Sequence, residues 1–169
     1  GNGGSASDAM HIVGELMKGF KLRREIPIND KEKINKYSNN ANYINSNLQR
    51  AIPAISLVNE ISLMTAYSND MSADLVFAQQ VYGYGRKGDL LIAISTSGNS
   101  KNVIYAAEVA KAIGMSVIAM TGKKDSGLSK IADITLRANT DETHRVQEEH
   151  IKMYHEFCLC VEKELFGIK

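Results

Sequence analysis

The sequence predicts an α/β fold, a doubly wound parallel sheet with helices on both faces. Three observations carry this. Leu90 to Ile94 is an unbroken apolar run of strand length. The hydroxyl-rich loop Ser95-Thr-Ser-Gly-Asn-Ser100 follows it, and a helical apolar pattern from Val103 to Ile113 begins at once. A second apolar run, Ser116 to Thr121, comes directly after Gly114, a residue suited to stopping a helix. Strand, helix and strand in that order and at that spacing make a parallel crossover.

The remaining elements follow in chain order. A helix is expected after Ser5, with Ser5 or Ser7 as its cap, Asp8 in its first turn and Met10, Val13, Leu16 and Met17 at helical spacing. It should end near Gly19. Residues 21–50 are polar, rich in Asn and Lys, and read as a loop plus a weak helix. Pro53 to Val58 reads as a strand, and Glu60 to Tyr67 as a helix broken at Ser68-Asn-Asp70. Ala73 to Tyr82 should be helical, with Gly83, Gly85 and Gly88 turning the chain into the Leu90 strand. A short helical turn at Leu128 to Ala132, a short strand at Ile134 to Leu136 and a long helix from Glu142 towards Phe166 complete the pattern.

Bulk properties narrow the function classes. The 169 residues suffice for one domain with a sizeable core. A net charge of +1 gives no electrostatic case for a nucleic-acid or anionic-membrane partner. No apolar run approaches the ~18 residues of a spanning helix, and no signal peptide opens the chain. Cys158 and Cys160 lie two apart on one helix and point to different sides, so they do not pair; this usage fits a cytoplasmic protein.

The chemistry concentrates in four places. Ser95, Thr96, Ser97 and Ser100 bring hydroxyls to a helix start, where backbone N–H groups favour an anion. No lysine lies within the loop, which excludes the nucleotide-binding Gly-Lys-Ser/Thr pattern and points to a phosphorylated small molecule. Gly1-Asn-Gly-Gly-Ser5 is a second glycine-rich approach to a helix, able to bring backbone close to a ligand. His11 and Glu15, four apart, share a helix face and suit either two ligands of one metal or an acid–base pair. Gln147 and His155 lie eight apart on the last helix; they reach one ion only if it lies between them, or else they serve sites formed by different subunits. His150, between them, reads as a packed or exposed histidine.

Three blocks together resemble the sugar isomerase (SIS) family of phosphosugar-binding proteins, nearest the phosphoheptose isomerase branch: Gly1-Asn-Gly-Gly-Ser-Ala-Ser-Asp-Ala-Met-His11 through Glu15, the Ser95–Ser100 loop, and Arg145-Val-Gln-Glu-Glu-His-Ile-Lys-Met-Tyr-His155. The resemblance covers nearly the whole chain, as a single SIS domain over residues 1–169. Related proteins carry a helix and a strand before the point where this sequence opens. By resemblance, Asn2, Ser5 and the sugar-contacting acid Asp70 bind substrate, together with the serine loop and Gln147. His11, Glu15, Gln147 and His155 match the family's metal-site residues. Two positions and one segment depart from the family: Gly19 where an arginine is common, His144 where an acid is common, and a longer stretch within 21–50 that reads as a mobile insertion.

The implied reaction interconverts sedoheptulose 7-phosphate and a heptose 7-phosphate through an enediol. A proton must leave one carbon and return to its neighbour. A carboxylate and an imidazole can move such protons near neutral pH, so Glu15 and His155 are the expected catalytic residues. A divalent metal, zinc by its His/His/Glu/Gln donors, would polarise the carbonyl. The alternative is a non-catalytic phosphosugar-binding or protein-interaction module of the DnaA initiator-associating type. Val146, Ile151, Tyr154, Phe157, Leu159, Val161 and Leu165 spread around much of the last helix, which calls for burial on more than one side and hence a homo-oligomer, a tetramer by resemblance.

Overall fold

A computed structural model describes residues 1–167. They fall into two compact units. The first comprises Gly1–His11 and Ser56–Tyr154, the second Ile12–Ile55 and, among the described residues, 155–167. Two helices, α1 (Gly4–Met17) and α8 (Thr143–Phe166), contribute residues to both.

The first unit holds the sheet. Strands β1 (Leu90–Ile94), β2 (Ser116–Thr121) and β3 (Ile134–Arg137) lie in the order β1-β2-β3, all parallel. Leu90 pairs with Ser116 and Ile94 with Met120; on the other side Ile118 pairs with Ile134. Helices flank it: α4 (Ile61–Tyr67), α5 (Val76–Tyr84), α6 (Lys101–Ala112) and α7 (Gly127–Ile131). Strand side chains alternate, so Ala93, Val117 and Ala119 face one way. They pack with Phe77 and Val81 of α5, Val103, Ala107 and Ala110 of α6 and Leu128 of α7. Alanines recur where α6 meets the strands, which lets helix and sheet approach closely; burial of this set supplies the main stabilisation at ~25 cal/mol per Å². The α/β fold and its parallel crossovers are as the sequence predicts.

Three local expectations are corrected. Pro53 to Val58 is not a strand among the described residues. A strand needs a partner ladder, and here the Leu57 carbonyl accepts from the Gln80 side chain at 2.9 Å instead, while Ile55 stays 61% exposed. Neither Ser5 nor Ser7 caps α1, which already begins at Gly4; Gly3, at φ +54°, turns the chain and its carbonyl accepts from Ala6 and Ser7. The α4 helix does not break at Ser68-Asn-Asp70. It widens into a π turn, Ser68–Ser72, and a 3-10 turn, Ala73–Leu75, before α5. The Ser68 hydroxyl donates back to the Met64 carbonyl at 2.6 Å, the i−4 bond of a serine inside a helix that tends to bend it, where the π turn begins.

In the second unit, residues 21–50 carry two helices, α2 (Ile28–Tyr37) and α3 (Ala41–Asn47). The excursion is closed at its base. Glu25 and Gln49 form an antiparallel bridge, and Arg50 N–H donates to the Arg24 carbonyl at 2.6 Å. No residue of α2 is buried, and α3 buries Ala41.

Candidate functional site

In the first unit the serine loop sits at the carboxyl end of β1, where ligands bind in open parallel sheets. Ser95 continues the ladder, its N–H donating to the Met120 carbonyl at 3.0 Å, and it is buried. The loop then turns at Gly98, with φ +66°. Only glycine fits: a Cβ there would collide with Ser126, the cap of α7. Gly98 N–H donates to the Ser95 carbonyl at 2.9 Å, and its own carbonyl accepts from Leu128 at 3.0 Å. Asn99 braces the far side, accepting from Gly127 N–H at 2.9 Å and donating to the Ser97 carbonyl at 3.0 Å.

The hydroxyls are differently engaged. Ser95 and Ser100 hydroxyls share a hydrogen bond of 3.0 Å, and Ser100 makes no side-chain cap bond to α6. Val103 N–H donates to the Ser100 carbonyl at 3.1 Å, and no side chain caps the N–H groups that precede it. Ser97 is exposed; its hydroxyl accepts from Asn99 N–H at 3.1 Å and keeps its own proton to donate. Thr96 fixes the loop through its carbonyl, which accepts from Gly122 at 2.9 Å.

Asn2 is brought to this helix start. Its side-chain amide and that of Asn102 bond reciprocally, at 2.9 and 3.0 Å. Gln147 lies against the backbone of Gly4, where any Cβ would run into the Gln147 amide. Ser5 is buried beside them in sequence, on the first turn of α1. Asp70 is exposed in the π turn and accepts from Asn69 at 2.9 Å. His11 Nδ1 is hydrogen-bonded to the Tyr154 hydroxyl at 2.7 Å, with the two rings edge to face. His150 is fully buried, its Nε2–H donating to the Thr121 carbonyl at 3.2 Å. Burial pushes its imidazole pKa down, against the Thr121 hydrogen bond and Asp8. Burial likewise raises the Asp8 carboxyl, with His150 and His11 opposing.

In the second unit Glu15 is half-buried and its carboxylate is paired with Lys18 at 3.0 Å. The Phe20 ring leans on the His155 imidazole, centroids 5.6 Å apart. Cys158, one turn beyond His155, is buried; desolvation and then the Glu15 charge push its thiol up to about 11. Glu15 on α1 thus approaches the face of α8 that carries His155.

The expected metal ligands divide between the units, His11 and Gln147 in the first, Glu15 and His155 in the second. Their donor types are those of a zinc site. Among the described residues, however, no three His, Cys, Asp or Glu side chains are grouped to hold an ion. No helix among the described residues is long and apolar enough to cross a membrane.

Sequence reasoning missed Asn102, Asn99 and Tyr154 as partners of the site. Each acts through a contact with a residue distant in sequence, and Tyr154 reads along the chain as one more apolar helix position. Only Asn99, inside the serine loop, carried a local signal.

Comparison with known proteins identifies the family. The SIS domain family model matches residues 41–122. The chain is 38% identical over 167 residues to the phosphoheptose isomerase of Sulfurimonas denitrificans, covering 99% of this chain and 73% of that protein. It is 40% identical over 163 residues to the phosphoheptose isomerase of Helicobacter pylori strain P12, covering 96% and 72%. Among solved structures, phosphoheptose isomerase GmhA from Neisseria gonorrhoeae superposes with a TM-score of 0.75 at 34% identity, covering 96% of this chain and 73% of that one. A phosphoheptose isomerase from Francisella tularensis gives 0.77 at 29% identity with the same coverage.

Proposed function

This chain belongs to the phosphoheptose isomerase family, and on that premise we propose that it interconverts sedoheptulose 7-phosphate and a heptose 7-phosphate, an aldose–ketose isomerisation through an enediol. The observation that carries the reading is the Ser95–Ser100 loop, a strand-end turn opening onto a helix start that no side chain caps. It supplies what a phosphate monoester needs, hydroxyl and backbone donors around one anion. Ser95, Thr96, Ser97 and Ser100, with Asn2 and Ser5, take the phosphate end of the substrate. Asp70 and Gln147 take sugar hydroxyls.

Glu15 removes the proton from the carbon beside the carbonyl and returns it to the neighbouring carbon. His155 moves the second proton between the two oxygens. Lys18 pairs with the Glu15 carboxylate at 3.0 Å and helps to hold it in place. A divalent metal, zinc by donor type, would polarise the carbonyl when bound. The enzyme is proposed to work in the cytoplasm as part of carbohydrate metabolism. A homotetramer is also proposed: Ile151 and Leu165 of α8 are 41% and 55% exposed, apolar surface that a second copy would cover.

Turnover of sedoheptulose 7-phosphate by the purified protein tests the reading, with Glu15→Gln as control. We expect wild-type turnover, and a loss of roughly 10²–10⁴-fold in the variant, the range of a general base. Near-normal rates in Glu15→Gln would remove Glu15 from the chemistry. Absence of wild-type turnover, with phosphosugar binding intact, would favour the non-catalytic module. A chelator arm tests the metal: an unchanged rate after dialysis against chelator would remove zinc from the proposal.

A further inference from the structure

A second anion cradle, unrelated to substrate, is built where α1 ends. Glu162 on α8 is 1% exposed, yet its carboxylate is saturated with donors. Oε1 accepts from Phe20 N–H at 2.7 Å and from Arg24 Nε at 2.8 Å; Oε2 accepts from Lys21 N–H at 2.8 Å and Leu22 N–H at 3.1 Å. Arg24, 2% exposed, spends its remaining donors on the end of α1, reaching the Leu16 carbonyl at 2.7 Å and the Glu15 carbonyl at 3.4 Å. Its guanidinium also stacks on the Phe166 ring, 4.8 Å from the centroid. Both members of this buried pair are thereby tied to backbone, and Arg24 also to an aromatic face.

The arrangement leads directly to the residues assigned above to proton transfer. Glu162 lies seven residues after His155, two helical turns along one face of α8. The same Phe20 whose N–H is fixed by Glu162 lays its ring on the His155 imidazole. The same Arg24 that pairs with Glu162 holds the carbonyl of Glu15 itself. Removing one partner of a buried ion pair leaves the other uncompensated, so the pair acts as a unit. What this one achieves is geometric: a fixed 20–24 turn, a fixed Phe20 ring and a fixed last turn of α1.

We propose that Arg24, Glu162 and Phe20 are positioning residues for the isomerisation, with Glu162 and Arg24 fixing the turn that braces His155 through Phe20 and holds the α1 segment carrying Glu15. This rests on the assignment of Glu15 and His155 given above.

The experiment compares Glu162→Gln, Phe20→Ala and Phe20→Tyr with wild type, by steady-state kinetics and by the NMR resonance of the His155 ring, assigned with His155→Gln. Phe20 is only half-buried, so Phe20→Ala keeps the test open if Glu162→Gln does not fold. We expect kcat per folded molecule to fall about tenfold to a hundredfold in Glu162→Gln and Phe20→Ala, with KM within about twofold, since misplacement by an ångström costs that much. The His155 resonance should shift in both variants, and Phe20→Tyr, which keeps the ring, should restore rate and resonance together. An unmoved His155 resonance in Phe20→Ala, or an unchanged kcat despite a moved resonance, would overturn the proposal. A lowered melting temperature without either change would leave only a structural role, and overturns it equally. Failure of the parent reading looks different: Glu15→Gln and His155→Gln would keep wild-type turnover, while the resonance would still report whether Phe20 braces His155.

Discussion

Two parts of this chain bend backbone N–H groups around oxygen, and they are finished in opposite ways. The Ser95–Ser100 loop ends at a helix whose start no side chain caps. The 20–22 turn closes its N–H groups on the protein's own carboxylate, Glu162. On the reading proposed above, the first is an anion site kept for a visitor; the second is permanently filled by the protein itself. On that reading the same kind of donor serves recognition when left open and rigidity when occupied.

The largest effect should come from closing the open cradle. Gly98→Ala puts a side chain at φ +66° and into Ser126. The loop must move, and losing two or more hydrogen bonds to a phosphate at ~1.5–3 kcal/mol each lowers affinity more than about a hundredfold. Calorimetric titration with the phosphosugar is the measurement. Wild-type affinity in this variant would show that the loop does not hold the phosphate.

Emptying the filled cradle should cost stability. Burial alone would raise the Glu162 carboxyl, but the N–H groups of Lys21 and Phe20, Arg24 and then Leu22 outweigh it and hold it at about 2, below the ordinary 4.5. A depressed carboxylate stabilises the fold above its unfolded value and loses that contribution as pH falls through the folded one. The gap corresponds to roughly 3 kcal/mol. Urea unfolding of Glu162→Gln should therefore lie below wild type by about that amount at pH 7, and the two curves should converge as pH falls from 4.5 towards 2. Parallel curves across that range would mean that the charge of Glu162 contributes nothing.

The two cradles also differ in how well they can be read from sequence. The open one is contiguous: an apolar run, a hydroxyl loop with one glycine and a helical pattern announce it within twenty-odd residues. The filled one joins residues about 140 apart, and along the chain Glu162 is only one of several charges on the last helix. Gly19 shows the same limit. Its departure from the family's usual arginine looks arbitrary in sequence, yet a Cβ there would strike the Leu22 carbonyl, and its N–H donates to Gln49 at 2.5 Å as the chain turns towards Glu162. Pro53 to Val58 fails in the other direction: its pattern is that of a strand, but a pattern cannot supply the neighbour that a ladder requires.

Within the open cradle, Ser97→Ala removes one exposed donor without moving the backbone. Loss of a single hydrogen bond to a charged group costs roughly 1.5–3 kcal/mol, about tenfold to a hundredfold in affinity. The effect should be smaller than that of Gly98→Ala and confined to binding. An equal effect of the two substitutions would indicate that Ser97 shapes the loop, through Asn99, more than it touches the ligand.

The smallest effect on stability should come from Lys18→Ala, beside the filled cradle. Lys18 pairs with Glu15 at 3.0 Å, but its side chain is 60% exposed against 13% for Glu15. An ion pair with one partner so solvated contributes no more than about 1 kcal/mol, and salt screens it further. Thermal unfolding should hardly change. The contact acts instead on where the Glu15 carboxylate sits, so kcat should fall in Lys18→Ala, by less than in Glu162→Gln, and the difference from wild type should narrow in high salt. An unchanged kcat at low salt would separate Lys18 from the chemistry, and would leave the buried Arg24–Glu162 anchor as the cation-bearing element that acts on Glu15 through its backbone alone.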